Sequence, residues 1–441
     1  MKIFKKMLKF LFYLIILYID LIYSYINLPF ETYKTSNFYD FFNNYIFTNI
    51  DIGLEPKTNI KLLLKQRSYS FYVYDNNYYS NIIYNYKNSS RYRNILEYEF
   101  EFSSSGCQYG IFSMDTFYIQ NQRNDNMTFI LCTKSFSNEF KNFDGQIGLN
   151  IEYDSMSDTN LILVLKNKEI IENKIYTLYY INDNQGFLLI GEYPHNLKLE
   201  SISSYEKYSE IKEENLFWIN SEITKKELLW TIFFDKINFG SSELYQNKKL
   251  GKISIEIKYI ISPLQYYNLF KKIYSKECEN ISLDSILMGF KCDINIDKKL
   301  TPEIRFYNND LNTTFILDYN NLFIDKDNYT YFLVFSYINN SGFNDWILGK
   351  PFLKKYLFLY NQDSRMIGFY KNKEKEKNIN NGDGNNKFNL YLILIILNIL
   401  FLGIIITISV LFYKYYIKNK KNRANELEDT FEYISQENKI Y

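Results

Sequence analysis

The stretch WILGKPFLKKYLFLYNQDSRMIGFY, residues 346–370, decides how the fold is read. Its apolar opening stops at Gly349, a short basic stretch follows, and two strand-like runs flank a polar turn at 361–365. Such runs on either side of a turn rich in Asn, Asp and Ser predict a closing β-hairpin. A closing hairpin needs a sheet to close, and the sequence upstream supplies strands. YIFTNIDIG, KLLLKQRSYSFYVY, YEFEFS, GIFSMDTFYIQ, MTFILCTK, GFLLIGEY, LLWTIFFDKINFG and GKISIEIKYII all alternate or are enriched in β-branched and aromatic residues. Helical patterns are few: one near 158–171, and one opening at Pro263 with apolar residues three and four apart. Residues 42–370 therefore read as mainly β, and no repeat of 20 to 50 residues is visible.

A chain of 441 residues is longer than one core usually serves, so two lobes are expected, 42–200 and 201–370. The net charge of +1 gives no electrostatic case for nucleic acid. The ends set the topology. Residues 1–24 carry four lysines and then an apolar run, the layout of a secretory signal peptide or a retained signal anchor. Residues 390–412 hold no charge and are long enough to span a bilayer, with Lys414, Lys418, Lys420, Lys421 and Arg423 following. The expectation is a type I membrane protein of the secretory or endomembrane system or the cell surface. Its N-terminal part is luminal or extracellular, 371–387 is a flexible polar stalk, 390–412 is the transmembrane helix, and 413–441 is a cytosolic tail.

An even cysteine count in an oxidising compartment points to two disulfides among Cys107, Cys132, Cys278 and Cys292. Pairing sequence neighbours is simplest, and three pairings stay open. Asn88, Asn126, Asn280, Asn312, Asn328 and Asn339 stand in glycosylation sequons. The cysteine spacing and a single histidine give no metal site. That histidine, His195, sits in the turn YPHN, and no Gly-x-Ser-x-Gly surrounds a serine, so it reads as a turn residue. No cofactor is expected.

The closing stretch resembles the end of pepsin-like aspartic proteases (plasmepsin- and nepenthesin-like branches included), through Ile347, Leu348, Gly349, Phe352, Lys355, Tyr356, Ile367, Gly368 and Phe369. The family has Asp after that Leu-Gly, where this chain has Lys350. FDGQIGLNIEY (143–153) is similar to the family's Phe-Asp-Gly-Ile-x-Gly-Leu segment, whose glycines let backbone pack closely beside the cleft. GCQYGIFSMDTFYI (106–119) resembles the far half of its flap hairpin, placing Phe102, Ser103 and Gly106 in the flap region. Cys132 and the stretch from Cys292 through LTPEIRF also match in order. The resemblance covers 42–370 and implies a bilobal acid-protease fold, extended by the C-terminal transmembrane helix.

The family's reaction takes two aspartates, one from each lobe, sharing a proton and activating a water. Each sits in an Asp-Thr/Ser-Gly turn, and this chain contains no Asp-Thr-Gly or Asp-Ser-Gly. After the turn at Ile52, Gly53 and Pro56 and a strand over 60–64, the first aspartate position matches Lys65. Gln66 and Arg67 then stand where Thr and Gly are expected. Counting back nine residues from Pro263 puts Ser254 at the second position. Glu256, two residues on, would share a strand face with Ser254 and could pair with Lys65 across the junction. Glu256, Tyr72 and Asp144 are candidates to line the cleft; Asp75 reads as a solvated turn residue. Asp144 and Asp115 match non-catalytic family positions. The resemblance thus implies a membrane-anchored pepsin-fold pseudo-protease that binds a peptide or protein in its interlobe cleft. The alternatives are an active aspartic endopeptidase with atypical motifs and a purely structural ectodomain.

Overall fold

The closing stretch folds as strand Trp346–Leu348, helix Lys350–Lys355 and a hairpin of strands Phe358–Asn361 and Met366–Tyr370. The basic stretch is thus one helix, started by a proline in its first turn and anchored by Phe352 among Phe234, Phe306, Phe315 and Phe358. At the turn the Asn361 side chain accepts from the Ser364 N–H at 3.0 Å, and Arg365 takes φ 55°. The computed structural model describes residues 25–33, 42–54, 57–75, 84–96, 100–101, 107–135, 142–151, 159–197, 211–221, 229–245, 248–274, 276–283, 286–298, 301–337 and 345–370. The architecture is mainly β, with sheets of 14, nine and four strands. The hairpin belongs to the 14-stranded sheet: Phe358–Asn361 pairs with Ile175–Tyr180, and Met366–Tyr370 pairs with Leu216–Asn220. It closes a sheet built largely from the first half of the chain.

The two larger sheets contain the same motif twice. In the first, Thr58–Lys65 runs parallel to Gly145–Gly148, with Lys65 opposite Gly148. Tyr72–Tyr74 returns antiparallel to Gly145–Gly148 and parallel to Gln122–Ser135. In the second, Lys249–Ile253 runs parallel to Trp346–Leu348, with Ile253 opposite Leu348. Ile260–Ser262 returns antiparallel to Trp346–Leu348 and parallel to Val334–Tyr337. Extending the second register by one residue puts Ser254 opposite Gly349, as Lys65 is opposite Gly148. Lys65 and Ser254 are therefore equivalent positions in a repeat that side-chain identity does not reveal.

Other elements depart from the sequence reading. Strand Ile26–Thr32 lies inside the 14-stranded sheet although it contains Pro29. Ile26–Thr32 pairs with Ile46–Ile52 only at Glu31 and Thr32, so no ladder bond is asked of the proline on that side. The Thr48 hydroxyl instead donates to the Pro29 carbonyl at 2.8 Å. The helix expected over 158–171 is confined to Leu161–Asn167: the Asn160 side chain caps its start, and Glu169 at φ 57° ends the run. The helix after Pro263 runs Leu264–Tyr274, presenting Tyr266, Tyr267, Phe270 and Tyr274 to the core. Asp75 is buried, not solvated, being 3% exposed. It follows a strand enclosed on both sides, and its N–H donates to the Cys132 carbonyl at 2.9 Å.

Disulfides join Cys107 to Cys132 and Cys278 to Cys292, the neighbour pairing. The second ties a hairpin in which the two cysteines stand directly opposite. Among the described residues no helix is long and apolar enough to cross a membrane. The expected signal, stalk, transmembrane segment and tail (1–24, 371–387, 390–412 and 413–441) lie outside the described residues.

Candidate functional site

In each repeat, the strand that ends at Lys65 or Ile253 gives way to a loop before the next strand begins. The loops, residues 66–71 and 254–259, meet and bond across equivalent positions. The Gln66 side-chain oxygen accepts from the Ile255 N–H at 3.2 Å. Glu256 Oε1 accepts from the Arg67 N–H at 3.0 Å. Glu256 Oε2 lies 3.4 Å from Lys65 Nζ, and each side chain of this ion pair is only 16% exposed. Glu256 gets there through a turn, not a strand face: the alternating run of 252–261 is broken at 254–259, and the buried Ser254 hydroxyl accepts from the Glu256 N–H at 3.4 Å.

A third segment seals the junction. Asn44 N–H donates to the Glu256 carbonyl at 2.9 Å, its side-chain amide to the Ile255 carbonyl at 2.7 Å, and Lys258 N–H to the Phe42 carbonyl at 2.9 Å. Asn43 bridges Ile257, and the Phe42 ring packs edge-on against Tyr259, Tyr331 and Phe335. The Lys350 N–H donates to the Ile257 carbonyl at 3.0 Å. Its own ammonium is buried and donates to the Asp183 carbonyl, and burial lowers its pKa from 10.5 to about 8.

An ammonium and a hydroxyl thus occupy the two equivalent positions, and the carboxylate meeting the ammonium is Glu256. A paired, hydrogen-bonded carboxylate beside a cation holds a loop in place, and among the described residues no second acid is bonded to it with which it could share a proton. Glu256→Gln keeps an acceptor for the Arg67 N–H but removes the charge facing Lys65. The expected cost is about 1.5 kcal/mol, between the values for surface and fully buried pairs. A double-mutant cycle with Lys65→Met measures it, and a coupling near zero would show that the pair holds nothing together.

The other candidates lie elsewhere in the framework. Tyr72 is buried against the Cys107–Cys132 disulfide, its hydroxyl 3.3 Å from that of Tyr74. Asp144 is buried, and its Oδ2 accepts from the Lys61 N–H at 2.8 Å. Asp115 is fully buried, accepting from the Tyr84 and Ser89 hydroxyls at 2.7 and 2.9 Å. His195 stacks on Tyr193 with Nδ1 2.9 Å from the Tyr370 hydroxyl, and burial lowers its pKa. Asn88, Asn126, Asn280, Asn312 and Asn328 are exposed. Phe102, Ser103, Gly106 and Asn339 lie outside the described residues. The sequence reading missed Gln66 as a bridge between the loops; its position after Lys65 was the signal. It also missed Asn44, for which the sequence gives none. Among the described residues no group of three or more His, Cys, Asp or Glu could hold a metal.

A family model for eukaryotic aspartyl protease matches residues 44–372. A comparison with curated proteins gives no match.

Proposed function

Because the chain belongs to the eukaryotic aspartyl protease family, we propose that it is a membrane-anchored, non-catalytic pseudo-protease that binds a peptide or protein in the cleft between its lobes. The observation that carries this reading is the ion pair of Lys65 with Glu256, at the loop where the family resemblance expects the first aspartate. Charged lysine cannot take a proton from water, and Ser254 opposite Gly349 has no carboxylate to offer. On this reading the cleft that the family resemblance implies holds an extended chain, which binds by adding a strand to exposed backbone. Anchoring rests on residues 390–412, and glycans on the exposed sequons fit a luminal or extracellular face.

Full-length protein tests both parts of the reading. It should stay in the membrane pellet on carbonate extraction; release would remove the anchor. Given a broad peptide library at acid pH, it should retain peptides without cutting them. Pepstatin-sensitive cleavage would instead support an active aspartic endopeptidase.

A further inference from the structure

We propose that the cleft selects an acidic extended peptide, with the Arg67 guanidinium receiving an Asp or Glu carboxylate. This rests on the reading of the cleft as a peptide-binding groove and adds its chemical preference. Arg67 stands in the first loop just after Lys65, Lys258 in the second, and the single acid in the two loops is Glu256. Both oxygens of that acid are already engaged, Oε2 by the Lys65 ammonium and Oε1 by the Arg67 backbone N–H. The Arg67 side chain is exposed, and no hydrogen bond or ion pair engages its guanidinium among the described residues.

More positive charge stands behind the second loop. Lys350 is held to it by the bond to the Ile257 carbonyl and is close enough to Lys258 and Lys354 to feel both. Lys258 is partly buried, and its pKa is lowered by burial and by neighbouring Lys326. The acids in this group are engaged, Asp183 by Lys354 and Asp327 by Lys326. The Arg67 guanidinium is a cation beside a low-dielectric junction, and such a charge attracts the opposite sign locally. The planar fork of an arginine matches a carboxylate in two parallel bonds, which a neutral amide side chain cannot reproduce. A Glu side chain in an extended peptide supplies that carboxylate.

The test is binding of full-length protein, at neutral pH, to a short labelled peptide with a central Glu and to its Gln counterpart. The Glu peptide should bind about tenfold tighter, a charge-assisted bond's share, with the preference shrinking as salt rises. Arg67→Gln should erase the preference, and Arg67→Glu should shift it to a Lys peptide. Both substitutions keep the backbone N–H that Glu256 uses. Equal affinity of wild type for Glu and Gln peptides would overturn the acidic preference and leave the cleft reading standing. A preference that survives Arg67→Gln would overturn the role of Arg67. Failure to bind any peptide would overturn both the inference and the reading beneath it.

Discussion

Gly148→Ala should destabilise the protein by about 3 kcal/mol or more, at the upper end of what an overpacked site costs. A Cβ at this position would stand 2.4 Å from the Tyr69 carbonyl carbon, 2.5 Å from the Ser70 nitrogen and 2.6 Å from the Ser68 oxygen. All three are backbone atoms of the first loop, so no rotamer change can clear them. Either that loop lifts off strand Gly145–Gly148 or the strand leaves its register with Thr58–Lys65. Gly349 has the same task in the second repeat, where a Cβ would meet the Tyr259 carbonyl oxygen at 2.0 Å. Gly368 is the control: an added Cβ there meets Leu216, Trp218 and Leu359 side chains at 2.9 to 3.2 Å, and these can give. Urea denaturation of the three variants separates the cases. A Gly148→Ala protein no less stable than Gly368→Ala would mean that the loop does not lie on the strand as described.

Those glycines mark what the sequence made legible. FDGQIGL announces a place where backbone touches backbone, and Gly145 and Gly148 are such places. The closing hairpin was legible because its apolar face alternates and its turn is polar. The repeat was legible only through the family's spacing, which put Lys65 and Ser254 at the two aspartate positions; the side chains themselves hide it, since equivalent positions are unlike: Lys65 with Ser254, Gln66 with Ile255, Arg67 with Glu256. Backbone pairing preserves the motif while the side chains diverge. SIEIKYII has a strand's period, yet 254–259 turns because it meets the other loop and the segment at 42–44; tertiary contact overrides local pattern. Strand Ile26–Thr32 lies before the stretch read as β; its Pro29 argues against a central strand, and the divergence from Ile46–Ile52 makes it permissible. The Lys65–Glu256 pair was readable as a possibility from the family's spacing, but its anchoring by the Arg67 N–H and by Asn44 depends on chain that is distant in sequence.

Lys350→Met should stabilise the protein at neutral and mildly acid pH, and the gain should vanish in alkali. Burial is the main reason that this ammonium has a pKa near 8 instead of 10.5; nearby Lys258 and Lys354 add to it, and Asp183 opposes it. Below about pH 8, folded and unfolded chains both carry the proton, so the full cost of burying the charge is present. Between about 8 and 10.5 the folded chain has released a proton that the unfolded chain still holds, so wild-type stability rises with pH. Above about 10.5 the group is neutral in both states and the penalty is gone. A displacement of that size corresponds to roughly 3 kcal/mol at most. Methionine has similar length, can rest against the Tyr180 ring as the lysine does, and forgoes one bond to the Asp183 carbonyl, which belongs to an exposed residue that water can serve. A net gain of about 2 kcal/mol near pH 6, closing by about pH 10, is therefore the expected result in urea titrations at the two values. A constant difference across that range would show that the ammonium is not buried at a cost.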